Sequence, residues 1–367
     1  MFRSRPKRYT RRMITVALSF VFLILFCEFF IYYILIIQCF WPTLNDHEAG
    51  RTKLKVMVLA DPHLVGVYRG HPFDRIRRDW EMARAFHAAI NIHAPDVVLI
   101  LGDLFDEGLW SNDEEFDKQL TRYRRIFAYD RTKTVLKNVV GNHDIGFHYA
   151  IHPYLDWRFR KQLTASADST AVSLWVYARI PFVLANSMAF EGDQCHLCTE
   201  AMKNVHDIGK RLRNVSVTYP AAHSSIIPTD RVPTFMAADS EKEQLDEYSR
   251  PILLLHFPLY RKDETDCSPD AWDAMPTKDR SKPYRPKWDC LSEEATNELL
   301  RQLRPRLVLS GHSHYSCVRH HRIPDEPNTL VPEWTVASFS WRNLPNPSFL
   351  MVCFPVYPTQ PSFNQRG

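Results

Sequence analysis

The stretch VLKNVVGNHD, residues 135–144, decides how this chain should fold, because a short apolar run stops abruptly at Gly141, Asn142, His143 and Asp144. A run of this length bounded by glycine and polar residues reads as a buried strand, and the residues at its end are rich in metal-binding and acid–base chemistry. The same punctuation recurs in both directions. Upstream, KVMVLA (55–60) runs into Asp61-Pro62-His63, and DVVLIL (96–101) runs into Gly102-Asp103-Leu104-Phe105-Asp106. Downstream, ILLL (252–255) ends at His256, and RLVLS (306–310) ends at Gly311-His312-Ser313-His314. Between the first two runs, residues 79–93 carry Trp80, Ala83, Phe86, Ala89 and Ile90 at helical spacing, with Pro95 as a stop, so the opening unit is strand, helix, strand. In α/β arrangements of this kind ligands gather at the carboxyl ends of the strands, where each of these polar clusters falls.

Asp61, His63, Asp103, Asn142, His256, His312 and His314 offer nitrogen and oxygen donors and no thiolate. A carboxylate can bridge two divalent ions about 3.5 to 4 Å apart, and such a pair binds a phosphate ester while activating a hydroxide for in-line attack. Imidazole, carboxylate and amide oxygen together suit manganese, iron or zinc better than calcium or magnesium. Taken singly, an Asp-x-His or a His-x-His more often caps a strand or satisfies a core hydrogen bond than binds metal. Five clusters in one order point to a site.

The order Asp-x-His, Gly-Asp-x-x-Asp, Gly-Asn-His-Asp, His, Gly-His-x-His resembles the calcineurin-like metallophosphoesterase superfamily, over residues 53–350. The resemblance implies an α/β fold, a metallophosphoesterase-type β-sandwich flanked by helices in four αββα layers. It implies that Asp61, His63 and His314 hold one metal, that Asn142, His256 and His312 hold the other, and that Asp103 bridges them. His143 would donate to the phosphoryl oxygens or protonate the leaving group, with Asp106 orienting it. More narrowly, Gly102 to Gly108 (GDLFDEG) and the run ASFSWRN (337–343) resemble a membrane-anchored group of the superfamily. That group implies removal of ethanolamine phosphate from the mannose of GPI anchors, with manganese as the metal, and so promotion of ER-to-Golgi transport of GPI-anchored proteins. The compartment implied is ER exit sites, the ER–Golgi intermediate compartment or the cis-Golgi. Members of the group usually end in a second hydrophobic span and a basic retrieval signal. Residues 351–367 (MVCFPVYPTQPSFNQRG) are interrupted by Pro355, Pro358 and Pro361 and read instead as a divergent tail. Two other readings stay open. A phosphoprotein or other phosphomonoester phosphatase usually shows an arginine where Glu107 stands and a glutamate where Asp144 stands; a non-catalytic trafficking scaffold would have lost metal ligands, and here every ligand position is filled.

The amino terminus sets topology. Residues 14–41 form an apolar run of 28 residues broken chiefly by Glu28 and Gln38. As a helix it would measure about 42 Å, enough to cross a hydrocarbon layer of about 30 Å with tilt. Phe40 and Trp41 stand where an interfacial aromatic belt belongs, and no small-residue cleavage site follows, so the run reads as an uncleaved transmembrane anchor in contact with membrane lipid. Arg3, Arg5, Lys7, Arg8, Arg11 and Arg12 precede it, which predicts a cytoplasmic basic tail at 1–13, a linker at 42–52 and a luminal catalytic domain at 53–350. The sequon Asn214-Val215-Ser216 agrees, whereas Asn346-Pro347-Ser348 is blocked by its proline. These six cations exceed the whole net charge of +4, so the folded body is slightly acidic and gives no support to nucleic-acid binding. Nothing in the sequence identifies a cargo-receptor or coat partner. Glu28 reads as a carboxyl that is protonated or turned toward a partner helix.

Cysteine spacing predicts a local staple between Cys195 and Cys198 and a disulfide between Cys267 and Cys290, which bracket a polar loop. Elsewhere the spacing predicts strands at 171–176 and 180–185, a helix near 201–214 and a polar loop at 223–247.

Overall fold

A computed structural model describes residues 8–43, 52–164, 171–192, 195–218, 250–267, 273–345 and 347–356; the loop expected at 223–247 lies outside them. The chain opens with α1 (Arg8–Leu25), a π-helical turn (Phe26–Phe30) and α2 (Ile31–Ile36), followed by β1 (Thr52–Leu59), α3 (Pro72–His93), β2 (Val97–Leu101), α4 (Asp113–Ile126) and β3 (Val135–Val139). Then come α5 (Asn142–Ile145), α6 (Pro153–Leu163), β4 (Val172–Tyr177), β5 (Ile180–Ala185), α7 (Cys198–Thr218) and β6 (Ile252–Leu254). The last elements are α8 (Glu293–Leu303), β7 (Leu307–Ser310), β8 (Cys317–Ile323), β9 (Glu326–Thr335) and β10 (Leu350–Val356).

Two sheets face each other. One has the order β10-β1-β2-β3, the other β4-β5-β6-β7-β9-β8. Strands β1, β2 and β3 are parallel, as are β5, β6, β7 and β9, so the chain turns into the same edge of the sandwich after each. Alternation sorts the side chains: Val56, Val58, Val97 and Leu99 meet Phe182, Ile252 and Leu254 between the sheets, while Met57, Leu59, Val98 and Ile100 face outward against Met82, Phe86 and Leu120 of the covering helices. Each fully buried aliphatic chain of this kind contributes about 1.5–3 kcal/mol. Helices α7 and α8 pack together over the second sheet, which completes the four αββα layers expected.

Helix α3 starts at Pro72, seven residues before the predicted position. Pro72 pre-sets the first helical φ and the His71 side chain accepts from Phe73 N, so the polar first turn is helical despite its weak apolar pattern.

Three expectations are corrected. The catalytic domain does not end at residue 350: β10 runs to Val356 and pairs antiparallel with β1, placing Phe354 in the inter-sheet core. Pro355 is tolerated because β10 is an edge strand. Cys267 joins Cys317 rather than Cys290. A bridge between Ala274 and Ser316 brings the loop to the start of β8, while Cys290 is buried with its thiol turned toward the Arg261 carbonyl. The Cys195–Cys198 staple forms as expected. The apolar run at 14–41 is not uniformly a lipid-facing helix. It is helical from Arg8 to Ile36, the length and composition of a single membrane span. Beyond Glu28, however, one face packs on α3: Glu28 pairs with Arg77 at 2.5 Å, Phe29 meets Trp80 edge-on, and Ile36 enters the core. The polar groups end the all-round apolar surface, since Trp41 Nε1 donates to the His93 carbonyl and His93 Nε2 lies 3.0 Å from the Ile36 carbonyl.

Candidate dinuclear metal centre

The ends of β1, β2, β3, β6 and β7 deliver the predicted donors to one place. Five of them, Asp61, His63, Asp103, His312 and His314, have φ between 45° and 70°. Only ten non-glycine residues among those described adopt such left-handed backbone, so half of this conformation is concentrated here. Each costs about 1–3 kcal/mol, and clustering of this kind marks sites where side-chain direction outweighs backbone comfort. Because His312 and His314 both turn this way, two residues of one short loop aim at different parts of the centre. Glycine permits the approach of neighbouring loops: a Cβ on Gly141 would lie 2.2 Å from Asp103 Oδ1, and Gly102, itself at φ +89°, would press on the His256 ring.

Asp103 stands in the middle and is buried. Its Oδ1 accepts the His143 backbone N–H at 2.8 Å. Its Oδ2 lies 3.5 Å from His63 Nε2 and 3.3 Å from His256 Nε2, so one oxygen faces both groups of donors. On one side Asp61, His63 and His314 converge, with His63 Nε2 3.1 Å from His314 Nε2 and Asp61 Oδ1 3.8 Å from each. On the other, His256 Nε2 lies 3.1 Å from Asn142 Oδ1, and His312 closes the group with Asp103.

These spacings and chemistries fit two divalent ions. Bonds of about 2.0–2.1 Å place neighbouring donors about 3.0–3.4 Å apart around one ion. Asp61 Oδ1 is buried and has no hydrogen-bond partner, although Oδ2 of the same carboxylate accepts His312 N at 2.9 Å. An orphaned carboxylate oxygen aimed into a cluster of imidazoles is the donor that a divalent ion between them would satisfy. The backs of three of the four rings are held as ligand imidazoles require. His63 Nδ1 is 3.2 Å from Asp106 Oδ1, His256 Nδ1 is 2.7 Å from the Leu101 carbonyl, and His312 Nε2 is 2.8 Å from the Trp288 carbonyl.

The titration pattern agrees. Burial would push the Asp103 carboxyl up, but His256, His143 and His63 hold it well below the usual range. Burial would lower His63, yet its hydrogen bond to Asp106 and the negative charges of Asp61 and Asp103 raise it to about 10; His256, against the same burial, is raised to about 9 by Asp103. His312 falls to about 3 and His314 to about 4, burial being the first cause in both, with His256 adding to the fall in the former and His63 in the latter. The carboxylates thus call for positive charge in the centre of the cluster.

His143 sits beside this group, its side chain 30% exposed where the candidate donors Asp61, His63 and His256 are sealed. The expected role of Asp106 is modified. Its carboxylate is nearer to His63 than to His143, at 3.2 against 3.5 Å, and His143 Nδ1 makes its shorter contact, 3.0 Å, with the Asp106 backbone carbonyl. Asp106 Oδ2 also accepts from Arg342 Nη1. Arg342 was present in the run ASFSWRN but carried no assigned role, since nothing local says that it folds back across the chain. Asp144 was likewise unassigned. Its oxygens accept from Gly141 N and Phe105 N, tying the third loop to the second, and burial followed by the charge of Asp103 raises it to about 7.

Comparison with known proteins gives one consistent result. The calcineurin-like phosphoesterase family model matches residues 54–316. The chain is 41% identical to metallophosphoesterase 1 of Ailuropoda melanoleuca over 347 residues, covering 94% of this chain and 81% of the relative. It is 43% identical to metallophosphoesterase 1 of Mus musculus, covering 89% and 76%. It is 38% identical to the metallophosphoesterase 1 homolog of Drosophila melanogaster, covering 90% and 80%.

Proposed function

The chain belongs to the calcineurin-like phosphoesterase family and is a metal-dependent phosphoesterase; from that premise we propose that it hydrolyses a phosphodiester in the early secretory pathway, removing ethanolamine phosphate from the mannose of GPI anchors. The observation that carries the chemistry is the single Asp103 oxygen facing two groups of donors. Asp61, His63 and His314 would hold one ion and Asn142, His256 and His312 the other. When bound, the pair polarises the phosphoryl oxygens and supplies a hydroxide near neutral pH. Manganese suits this donor set, with zinc or iron as alternatives.

The protein's own groups do the rest. His143, with Nδ1 directed at the Asp106 carbonyl and its ring partly open to solvent, presents Nε2 to an incoming ester and can protonate a departing alkoxide. Arg342, clamped to Asp106, brings a guanidinium near the same opening for a non-bridging phosphoryl oxygen.

The choice of an ethanolamine-phosphate glycan rests on the resemblance of residues 102–108 and 337–343 to GPI-remodelling enzymes and on the apolar helix that would hold the enzyme in the same membrane as such anchors. With the basic residues before that helix on the cytoplasmic side, the catalytic domain is luminal. Asn214, exposed on α7, then carries the sequon on the luminal side. Asn214→Gln should abolish the mobility shift that endoglycosidase produces on protein from mammalian cells; no shift in the parent protein would reverse the orientation. Turnover of a phosphodiester, a phosphomonoester, a phosphopeptide and an ethanolamine-phosphate glycan tests the substrate. Preference for a phosphomonoester or the phosphopeptide would replace the diesterase reading by a phosphatase, and no hydrolysis of any would leave a scaffold.

A further inference from the structure

Strand β1 points toward the metal centre, and α3 begins just after the loop that carries Asp61 and His63. Because β1 and β2 are parallel, α3 must run back, with its first turn at the metal-centre edge of the sandwich and His93 at the far edge. Helix α2 lies along α3 in the same direction: Glu28 meets Arg77, Phe29 meets Trp80 and Arg84, and Ile36 and Trp41 meet His93. The chain before Glu28 therefore leaves the domain at the metal-centre edge. There α1 extends by about 27 Å with no buried residue. At the same edge Val67, Tyr68, Phe73 and Ile76 are exposed, Phe73 by 77%, and Arg69 stands among them with its guanidinium over Trp110. Exposed aromatic and aliphatic side chains with interspersed arginine are the composition of a surface that sits in lipid headgroups. Tyr32 of α2 touches Trp341, the neighbour of Arg342, so the same helix also contacts a loop of the centre.

We propose that the docked α2 and the loop 66–76 hold the metal centre's open edge against the bilayer that α1 enters, so that the substrates are phosphoesters carried at that membrane surface. The inference rests on the reading of the helical run Arg8–Ile36 as a membrane span, with the exposed apolar face of α2 completing it, and of the centre as a phosphoesterase. The Glu28–Arg77 pair is the positioning element, placed where the helix passes from lipid to protein, and the π-helical turn around it adjusts the helix face to α3.

The test uses the full chain in phosphatidylcholine vesicles containing doxyl-labelled lipid. An environment-sensitive fluorophore is placed at Phe73→Cys or at Lys133→Cys in a Cys27→Ser, Cys39→Ser, Cys353→Ser background, which leaves only the buried Cys290 among the free thiols; Lys133 is exposed just before β3, at the far edge. The label at 73 should shift to the blue and be quenched, and the label at 133 should stay in water. Equal behaviour of the two labels in a chain that resists carbonate extraction would overturn the facing while sparing the span. Release of the chain by carbonate would overturn both. The labels need no turnover, so neither outcome can be confused with a wrong phosphoesterase assignment. Arg77→Glu should erase the contrast between labels and reduce turnover of a lipid-borne phosphodiester roughly tenfold through lost surface alignment, with bis(p-nitrophenyl) phosphate in solution hydrolysed as before. Glu28→Arg combined with Arg77→Glu should restore both. Arg77→Glu with the contrast intact would refute the docking as the cause.

Discussion

The two halves of the metal centre are built from the same strand-end device but carry different charge. Around His63 stand three carboxylates, Asp61, Asp103 and Asp106, each within 3.8 Å of a ring nitrogen. Around His256 only Asp103 is ionised at comparable range, and the fellow donor is the neutral amide of Asn142. The nearby acid Asp144 is spent on backbone N–H groups and lifted to about 7, burial first and Asp103 second. The first half should therefore hold a divalent ion more tightly, since nearby carboxylates lower the cost of placing a cation in a sealed pocket. A tightly held ion in one half and an exchangeable ion in the other is what the asymmetry predicts, with Asp103 the only carboxylate serving both.

The largest effect should come from removing what the halves share. Asp103→Asn should lower kcat by about 10⁴-fold or more and strip both ions, because it deletes the bridging charge and leaves two histidine groups facing an amide. Metal analysis beside turnover checks this. Retention of two ions per chain with normal activity would mean that the oxygen near His63 and His256 is not a bridge. Next comes the contrast between halves. Asn142→Ala should leave about one ion per chain, and Asp61→Asn fewer, with activity down at least about 10³-fold in both. A chelator titration of the parent protein should remove one ion before the other. The reverse order of severity would break the charge argument.

We assign His143 to neither half as a ligand although its ring lies within reach of His63 and Asp103, which makes it a sharper probe. His143→Ala should reduce kcat by about 10²- to 10⁴-fold while metal content stays unchanged. A nitrophenyl ester, whose leaving group needs no proton, should partly rescue the variant, and an alkyl ester should not. Loss of an ion, or equal impairment on both esters, would move His143 into the ligand set.

How much of this was legible follows from where each strand lies. Strands β1, β2, β6 and β7 are interior and parallel to a neighbour, β3 lies at its sheet's edge but also parallel to β2, and in each a short apolar core runs straight into the polar cluster that announces the donors. Strands β8, β9 and β10 gave no such signal. In β8 exposed residues alternate with buried Cys317, His321 and Ile323, and β9 carries Pro332 and a buried Glu333 that binds His321 at 2.8 Å. Antiparallel and edge strands of that kind satisfy polar groups by tertiary pairing that no window of sequence contains. The candidate donors were legible because each is fixed by its own strand end. Their supports were not: Arg342 reaches Asp106 across 236 positions, and Arg77 reaches Glu28 across 49. Cys267 illustrates the same limit, since spacing favoured Cys290 and the fold chose Cys317.

The smallest effect should appear at Asp106, where the comparison between halves can be tuned without removing a ligand. One carboxylate oxygen takes His63 Nδ1 and the other takes Arg342, so Asp106→Asn must put an NH₂ group against one of two donors. Facing Arg342, the amide forfeits the ion pair and frees the guanidinium. Facing His63, it needs Nδ1 as an acceptor, which moves the ring proton to Nε2 and blocks the nitrogen that faces the metal. In either orientation the charge lost is one that stood beside His63, whereas His256 and His312 are backed by the Leu101 and Trp288 carbonyls instead. Loss of such a supporting group costs about 10- to 100-fold in metal affinity or activity. Asp106→Asn should therefore weaken the tighter of the two ions and narrow the gap between the two chelation steps. His143 should be less affected, since its closer contact is with the Asp106 backbone carbonyl, which the substitution leaves in place. The signature is a selective change in the stronger metal constant with the leaving-group dependence of the rate preserved. If leaving-group dependence collapses while both metal constants hold, the carboxylate of Asp106 serves His143 before His63, and the charge asymmetry between the halves loses one of its three carboxylates.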